Sequence, residues 1–317
     1  MSETKLFDSV VVGGGPAGYT AALYASRASL STLVLERGMP GGQIATSDLI
    51  DNYPGIPNLS GAELGQRMAD HAQQAGALLE YGSVSHISRS SEGIFDIVTD
   101  VDTYKARSVI VATGATPRTA GFAGEETFRG RGVSYCATCD GMFYKDKQVF
   151  VIGGGNSACE EAIYLSNIAR EVQIVLRRDE FRASRGMVNR VLACKNTSVR
   201  YLTSISEISG ETFISSITFK NNETGTLNIE EFDPGSVGIF VATGHTPETE
   251  LVRDLVELDH DGSVIVDDSM ATRIPGLFCA GDMRSGSLRQ VITAAADGAI
   301  AGVSAYKYVE QTLGLSL

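Results

Sequence analysis

The chain has 317 residues, 43% of them apolar, enough to bury a substantial core and to divide into about two domains. Its net charge of -12 repels phosphate backbones and anionic lipid heads, which argues against nucleic-acid and membrane partners. With 35 glycines, 8 prolines and 5 cysteines, of which only two lie close together, it is neither a low-complexity chain nor a secreted disulfide framework.

The polar N-terminus, Met1 to Lys5, leads into the apolar run Val10 to Val12, too short for a signal-peptide core or a membrane span. A cytoplasmic protein is expected. The first motif follows at once: residues 8–18 (DSVVVGGGPAG) are an apolar strand, a glycine turn and a helix start. In Gly13-x-Gly15-x-x-Gly18 the first glycine permits the turn, the second admits a pyrophosphate to the backbone, and the third packs helix on sheet. Glu36, the acid at the end of the next strand (Thr32 to Leu35), has the spacing of a carboxylate that accepts both ribose hydroxyls of an adenosine.

Residues 148–158 (QVFVIGGGNSA) repeat that motif as Gly153-x-Gly155-x-x-Ala158. A second echo keeps the same order, residues 108–117 (SVIVATGATP) returning as 238–247 (GIFVATGHTP). Alternating strand and helix patterns with this repeat predict an α/β protein of two Rossmann-like dinucleotide-binding domains. Between the repeat members, Leu78 to Ser88 with Ile94 to Tyr104, and Ser198 to Ile208 with Phe213 to Phe219, read as antiparallel meanders, giving each domain three ββα layers. The tail, Leu288 to Leu313, carries Val291, Ala294, Ala295, Ile300, Val303 and Tyr306 at helical spacing. It predicts a long buried helix, with Gly298 or Gly302 as candidate breaks. Packing that helix on the first unit makes residues 1–118 and 246–317 one discontinuous domain, with 119–245 inserted into it.

In the second copy Leu176 occupies the place of Glu36. Arg177, Arg178 and, one helical turn on, Arg182 follow, a set that suits the 2′-phosphate of NADPH. The competing reading is a solvated basic cluster. Just before this unit lies residues 133–141 (VSYCATCDG), where Cys136 and Cys139 have spacing for a reducible disulfide or half a metal site. Zinc lacks a second ligand pair, since Cys159, Cys194 and Cys279 are scattered packing cysteines and none of His71, His86, His245 and His260 lies beside another ligand. A structural disulfide of so short a loop constrains little chain entropy. Redox work is the better reading, with adjacent Asp140 able to move the proton that thiol exchange requires.

At this point the sequence resembles the low-molecular-weight thioredoxin reductases. The match runs through Gly13 to Arg27, the 41–43 loop, residues 52–55, the Cys136 to Gly141 box, Gly153 to Ala162, Arg177 to Ala183, Gly281-Asp282 and Arg289-Gln290. The resemblance implies FAD in the first domain, on Pro16, Ala17, Arg37, Gly42, Val84, Ala112, Thr113, Gly114 and Val291 beside the glycine turn and Glu36. Asp282 then lies on the ribityl and phosphate portion, and Gln43, Asn52, Arg289 and Gln290 near the flavin ring. It implies NADPH on Gly153, Gly155, Asn156, Ser157, Ala158 and the three arginines, and no metal. It also implies a homodimer and thioredoxin as the substrate. Cys139 would face the flavin, Cys136 would attack the substrate disulfide, and Asp140 would be the acid-base group. Met142 and Phe143 align with an apolar pair that helps dock thioredoxin, against a reading as core packing. Leu176 replaces the family's usual His, Asn156 its commoner Asp or Ser, and Met142 a frequent Phe. Because nicotinamide and dithiol must both reach one flavin, the inserted domain is expected to rotate, with Thr113-Gly114 and Thr243-Gly244 as hinges. Alternatives are a flavin dithiol oxidase, a ferredoxin- or flavin-fed disulfide reductase, and a non-catalytic redox sensor.

Overall fold

The computed structural model describes residues 5–314; the polar Met1–Thr4 stretch and residues 315–317 lie outside them. The chain parts into two units, one holding residues through Thr116 and from Thr246 onward, the other Pro117–His245.

In the first unit the apolar run Leu6–Val12 becomes the central strand, because its valines are buried on both faces. Thr32–Glu36 and Thr103–Val111 flank it in parallel, Leu78–Tyr81 lies outside Thr32–Glu36, and Leu277–Cys279 adds to Thr103–Val111, all parallel. Thr103–Val111 also starts an antiparallel run through Phe95–Thr99 to Val84–Arg89. The meander expected from Leu78 therefore needs correction. Leu78–Tyr81 is a parallel edge strand, and only Val84–Arg89, Phe95–Thr99 and Thr103–Val111 form the meander. Alternation along Leu6–Val12 sends Val10 and Val12 into one cluster, with Phe95 and Ile97 of the meander, and Val11 into another, with Ala21, Ala22 and Ala301 of two helices.

Those helices are Pro16–Arg27 and Val291–Thr312. The second is unbroken over 22 residues, so Gly298 and Gly302 are not breaks. They are points of close approach: a Cβ on Gly298 would overlap Ala17 O, and one on Gly302 would lie 2.6 Å from Ala21 O.

The second unit repeats the plan. Its parallel sheet runs Thr197–Arg200, Glu171–Val175, Gln148–Ile152, Val237–Val241, Val133–Ser134. A separate meander joins Thr203–Gly210, Ile214–Asn221 and Leu227–Glu231. Ser198 to Arg200 thus belongs to the parallel sheet, not to the expected meander, and Leu227–Glu231 is a third strand the pattern did not disclose. Phe150 and Ile239 pack on Ile217 and Phe219 of the meander, while Val149 and Val151 pack on Ala158, Cys159, Ala162 and Leu165 of the helix Asn156–Ser166. Each unit is therefore a Rossmann-like ββα sandwich. Among the described residues no helix is long and apolar enough to cross a membrane.

Candidate functional site

Both glycine turns have the same local construction. Gly13 and Gly153 have φ of +105° and +143°, and a Cβ on either would lie 2.5 Å from a carbonyl oxygen of the neighbouring strand, Ala112 O and Ala242 O respectively. The helices that follow begin after Gly15 and Gly155, neither start having a side-chain cap or an acidic residue in its first turn. Their leading N–H groups and positive dipole ends therefore stay available to an anion. A Cβ on Gly155 would meet nothing within 4 Å, and one on Gly15 only Gly41 O at 3.9 Å, so both approaches are open. Ala17 is buried behind the first turn and Ala158 behind the second; Asn156 and Ser157 are exposed.

In the first unit Glu36 accepts from Gly14 N–H through Oε2 and from Gly38 N–H through Oε1 (2.7 Å). The carboxylate expected to hold a ribose also fixes the turn. Burial, and then the charge of Glu36, push the buried Tyr19 phenol upward. Gly41 N–H donates to Gly14 O (2.8 Å), which draws Gly42 against Gly15, and Gln43 Nε2 donates to Ala115 O (2.7 Å). Asn52 Nδ2 donates to Gln290 Oε1 (3.1 Å), joining two residues 238 positions apart. Gln290 caps the helix Val291–Thr312, and Val291 packs with Ile44 and Tyr53. Arg289, at φ +57°, donates its N–H to Ser287 Oγ, which donates to Asp282 Oδ1 (2.9 Å). Burial raises the Asp282 carboxyl, opposed by Ser287 and by Arg289. Thr113 Oγ1 donates to Glu248 O (2.6 Å), leaving Gly114 at the strand end. Arg37 is exposed, and Val84 packs on the sheet core.

In the second unit Cys136 and Cys139 form a disulfide, with Cα atoms 5.3 Å apart. Cys136 stands at the start of the helical turn Ala137–Asp140, its Sγ accepting from Cys139 N–H at 3.2 Å. Asp140 therefore ends that turn rather than beginning it. Ser134, only 4% exposed, ties the motif together: its Oγ accepts from Cys136 N–H (3.1 Å) and donates to Asp140 Oδ2 (2.6 Å). From below, the Tyr135 hydroxyl donates to buried Glu125 (2.7 Å), which also accepts from Ala120 and Gly121 N–H. Met142 and Phe143, just after the motif, are 55% and 40% exposed and so are not core residues. Cys159 and Cys279 are buried; Cys194 is half-buried, its thiol directed to Arg190 O.

Comparison with known proteins decides the family. Residues 7–298 match the pyridine nucleotide-disulphide oxidoreductase family. The chain is 43% identical over 312 residues to a thioredoxin reductase of Listeria innocua, spanning 98% of this chain and 96% of that one. Among solved structures, the thioredoxin reductase of Streptococcus pyogenes superposes with a TM-score of 0.92 at 41% identity, covering 98% and 100% of the two chains. That of Lactococcus lactis in its FR conformation, also 41% identical and covering 96% and 99%, gives 0.65.

The chain belongs to the thioredoxin reductases of this family.

Membership carries flavin and nicotinamide use and makes Cys136–Cys139 a redox-active centre. Against that family pattern, the arginines of the second unit have a defined place. Arg177, Arg178 and Arg182 are exposed, and among the described residues none of the three forms an ion pair. Arg182 lies in an irregular loop, not on a helical turn, and the loop folds back on the glycine turn. Arg182 and Ala183 N–H donate to Gly154 O (2.7 and 3.0 Å), and Ser184 N–H donates to Asn156 Oδ1 (2.9 Å). Asn156 thus anchors the basic loop, an effect its sequence position did not disclose. Leu176, 3% exposed, packs its side chain against Gly154 where a carboxylate would otherwise stand.

Two further features escaped the sequence reading. Ser134 was one, although its place two residues before Cys136 was a usable signal. The other is the pair Arg284 and Asp297, joined by two hydrogen bonds of 2.6 and 2.9 Å, with Asp297 also accepting from Gly281 N–H (3.2 Å). A lone Asp on the apolar face of the last helix was its only trace.

Proposed function

We propose that the protein passes electrons from NADPH, through FAD, to the disulfide of thioredoxin by way of Cys136 and Cys139. The observation that carries the reading is a disulfide in the same unit as an uncapped glycine-turn helix flanked by three unpaired arginines. The residues present suit both cofactors. In the first unit, residues 1–118 and 246–317 in our division, the open helix start suits the FAD diphosphate and Glu36 the adenosine ribose. Asp282 and the Asn52–Gln290 pair lie on the loops where the family places ribityl and flavin ring. In residues 119–245, the start after Gly155 suits the NADPH diphosphate and the arginines its 2′-phosphate.

A bound flavin supplies the two-electron relay between the nicotinamide hydride and the disulfide. The remaining steps belong to the chain's own residues. Cys136 thiolate attacks one sulfur of the substrate disulfide, forming a mixed disulfide and releasing the other substrate sulfur as a thiolate, which Asp140 protonates. Cys139 thiolate then attacks Cys136 Sγ, restoring the internal disulfide and releasing the second substrate thiolate for protonation. Two electrons and two protons have then reached the substrate. Ser134 holds the Asp140 carboxylate against the motif during both exchanges. Exposed Met142 and Phe143 supply apolar surface for docking the protein substrate.

Rotation of the inserted domain belongs to the same reading. Nicotinamide and dithiol must both reach one flavin, which a single fixed pose would not allow. Exposed Ile292, Ile300 and Val303 on one face of the last helix suit a homodimer contact. A redox pair kept reducible suits a cytoplasmic setting.

The test is anaerobic. NADPH added to the purified protein is expected to bleach the flavin absorbance, and oxidised thioredoxin then to sustain NADPH consumption. Absence of bleaching rejects NADPH as the donor, and bleaching without turnover rejects thioredoxin as the acceptor.

A further inference from the structure

We propose that Asn222, in the hairpin between Ile214–Asn221 and Leu227–Glu231, is a positioning residue that sets the preference for a 2′-phosphorylated nucleotide; the inference rests on the NADPH reading above. The meander carries no residue of the clamp, yet its hairpin grips the clamp from behind. Asn222 Nδ2 donates to Arg177 O at 3.1 Å. Its Oδ1 accepts from Ser204 Oγ at 2.9 Å, which fixes the amide so that its N–H side faces Arg177.

A second contact grips Arg178. Asn222 N–H donates to Leu202 O (2.7 Å), and Leu202 N–H donates to Arg178 O (3.0 Å). Leu202 achieves this at φ +50°, a left-handed conformation that a branched side chain adopts only when its surroundings impose it. Thr203 N–H to Leu176 O (2.7 Å) completes a row of three consecutive carbonyls, 176 to 178, held by one side of the meander. With their backbone pinned, Arg177 and Arg178 project from a fixed base while both guanidinium groups stay exposed. Two guanidinium groups carried on a fixed backbone lose less entropy on gripping a phosphate than two on a mobile loop.

The probes are 2′,5′-ADP and 5′-AMP, which share the adenosine and 5′-phosphate and differ in the 2′-phosphate, bound to the oxidised holoprotein and measured by calorimetry. Wild type is expected to prefer 2′,5′-ADP. Asn222→Ala is expected to weaken 2′,5′-ADP about threefold, the effect of one exposed hydrogen bond, and to leave 5′-AMP unmoved. Ser204→Ala, which frees the amide to turn, is expected to act in the same direction. Asn228→Ala, whose side chain donates to Glu230 on the same meander, is expected to change neither. In turnover, Asn222→Ala is expected to raise KM for NADPH and leave kcat and KM for NADH unchanged. A wild type indifferent to the 2′-phosphate overturns the NADPH reading itself. A wild type that discriminates, beside an Asn222→Ala protein that discriminates equally, or an Asn228→Ala protein that loses as much, overturns the positioning role alone.

Discussion

Gly298→Ala tests how the first cofactor-binding turn is held. Gly298 lies in the last helix where that helix meets Pro16–Arg27. A Cβ there would overlap Ala17 O and lie 2.9 Å from Ala17 C and 3.0 Å from Ala21 N. All three are backbone atoms, so no side chain can swing aside. Comfortable separation between carbons is about 3.5 to 4.0 Å, so the helices must part by roughly 1 Å. Such overpacking costs about 1–3 kcal/mol, and rigid backbone contacts place this site at the upper end. Ala is the better helix former by about 1 kcal/mol, leaving a net loss of about 2 kcal/mol. In a chain of this size the transition midpoint should fall by roughly 4 °C in calorimetry. Ala17 is the second residue of the helix whose start would hold the diphosphate, so the variant should also retain less flavin through gel filtration. Gly186 is the control: it too is helical, but a Cβ there would meet nothing within 4 Å. Gly186→Ala should be neutral or slightly stabilising. A Gly298→Ala protein as stable as wild type, or a Gly186→Ala protein destabilised as much, would refute the close-approach argument.

Cys136→Ser and Cys139→Ser should each abolish thioredoxin turnover while NADPH still bleaches the flavin; loss of bleaching would place the pair upstream of the flavin. Arg177→Ala and Arg178→Ala should each weaken NADPH binding about tenfold, as loss of a charge-assisted phosphate contact does, with a shallower salt dependence than wild type; an unchanged Kd would return them to the status of solvated surface charges. Glu161 is a third test, because burial, and then Glu160, push its carboxyl from 4.5 up to about 7, and among the described residues its Oε2 has no hydrogen-bond partner. Between those two values the folded protein holds a proton that the unfolded chain has lost, so stability falls as pH rises through that window. Glu161→Gln removes the effect. It should be more stable than wild type by about 3 kcal/mol at pH 8 and equal to it near pH 4, measured by urea unfolding; a difference independent of pH would show that Glu161 is already solvated.

What the sequence disclosed were features fixed by local pattern. The two glycine turns, the acid at position 36, its absence at Leu176 and the Cys136–Cys139 spacing all lie within short windows, and each repeat could be compared with its partner. What it concealed depended on distant pairing. Leu78–Tyr81 and Val84–Arg89 are separated by two residues, so they looked like one arm of a hairpin. Their directions are set by partners at Thr32–Glu36 and Phe95–Thr99, which no local pattern names. Leu227–Glu231 went unseen because it is short, with only Leu227 and Ile229 apolar before two glutamates, too brief an alternation to stand out. Gly298 and Gly302 looked like helix breakers because propensity knows nothing of a neighbouring helix. Ser134 and Asn156 looked like ordinary polar residues because their importance lies in the backbone groups they bind.

The two halves share one turn and differ at the residues that support it, Glu36 against Leu176 and Pro16 against Asn156. In the first half Glu36 ends its strand and accepts from Gly14 N–H, so the turn is held by the same acid that we propose for the adenosine ribose. A 2′-phosphate would meet that carboxylate as a like charge. In the second half Leu176 is apolar and cannot lock the turn. Both turns are held from a loop through the carbonyl of the middle glycine, Gly14 O accepting from Gly41 N–H and Gly154 O from Arg182 and Ala183 N–H, and the second adds Asn156 Oδ1, which accepts from Ser184 N–H. Replacing the acid by an apolar residue removes the repulsion, and Asn156, where the first turn has Pro16, adds a side-chain acceptor that anchors the basic loop. In the first unit the turn's hydrogen bond and the proposed ribose selectivity rest on one carboxylate. In the second unit a backbone anchor holds the loop, and among the described residues its three arginines stay exposed and form no ion pair in a protein whose net charge is -12.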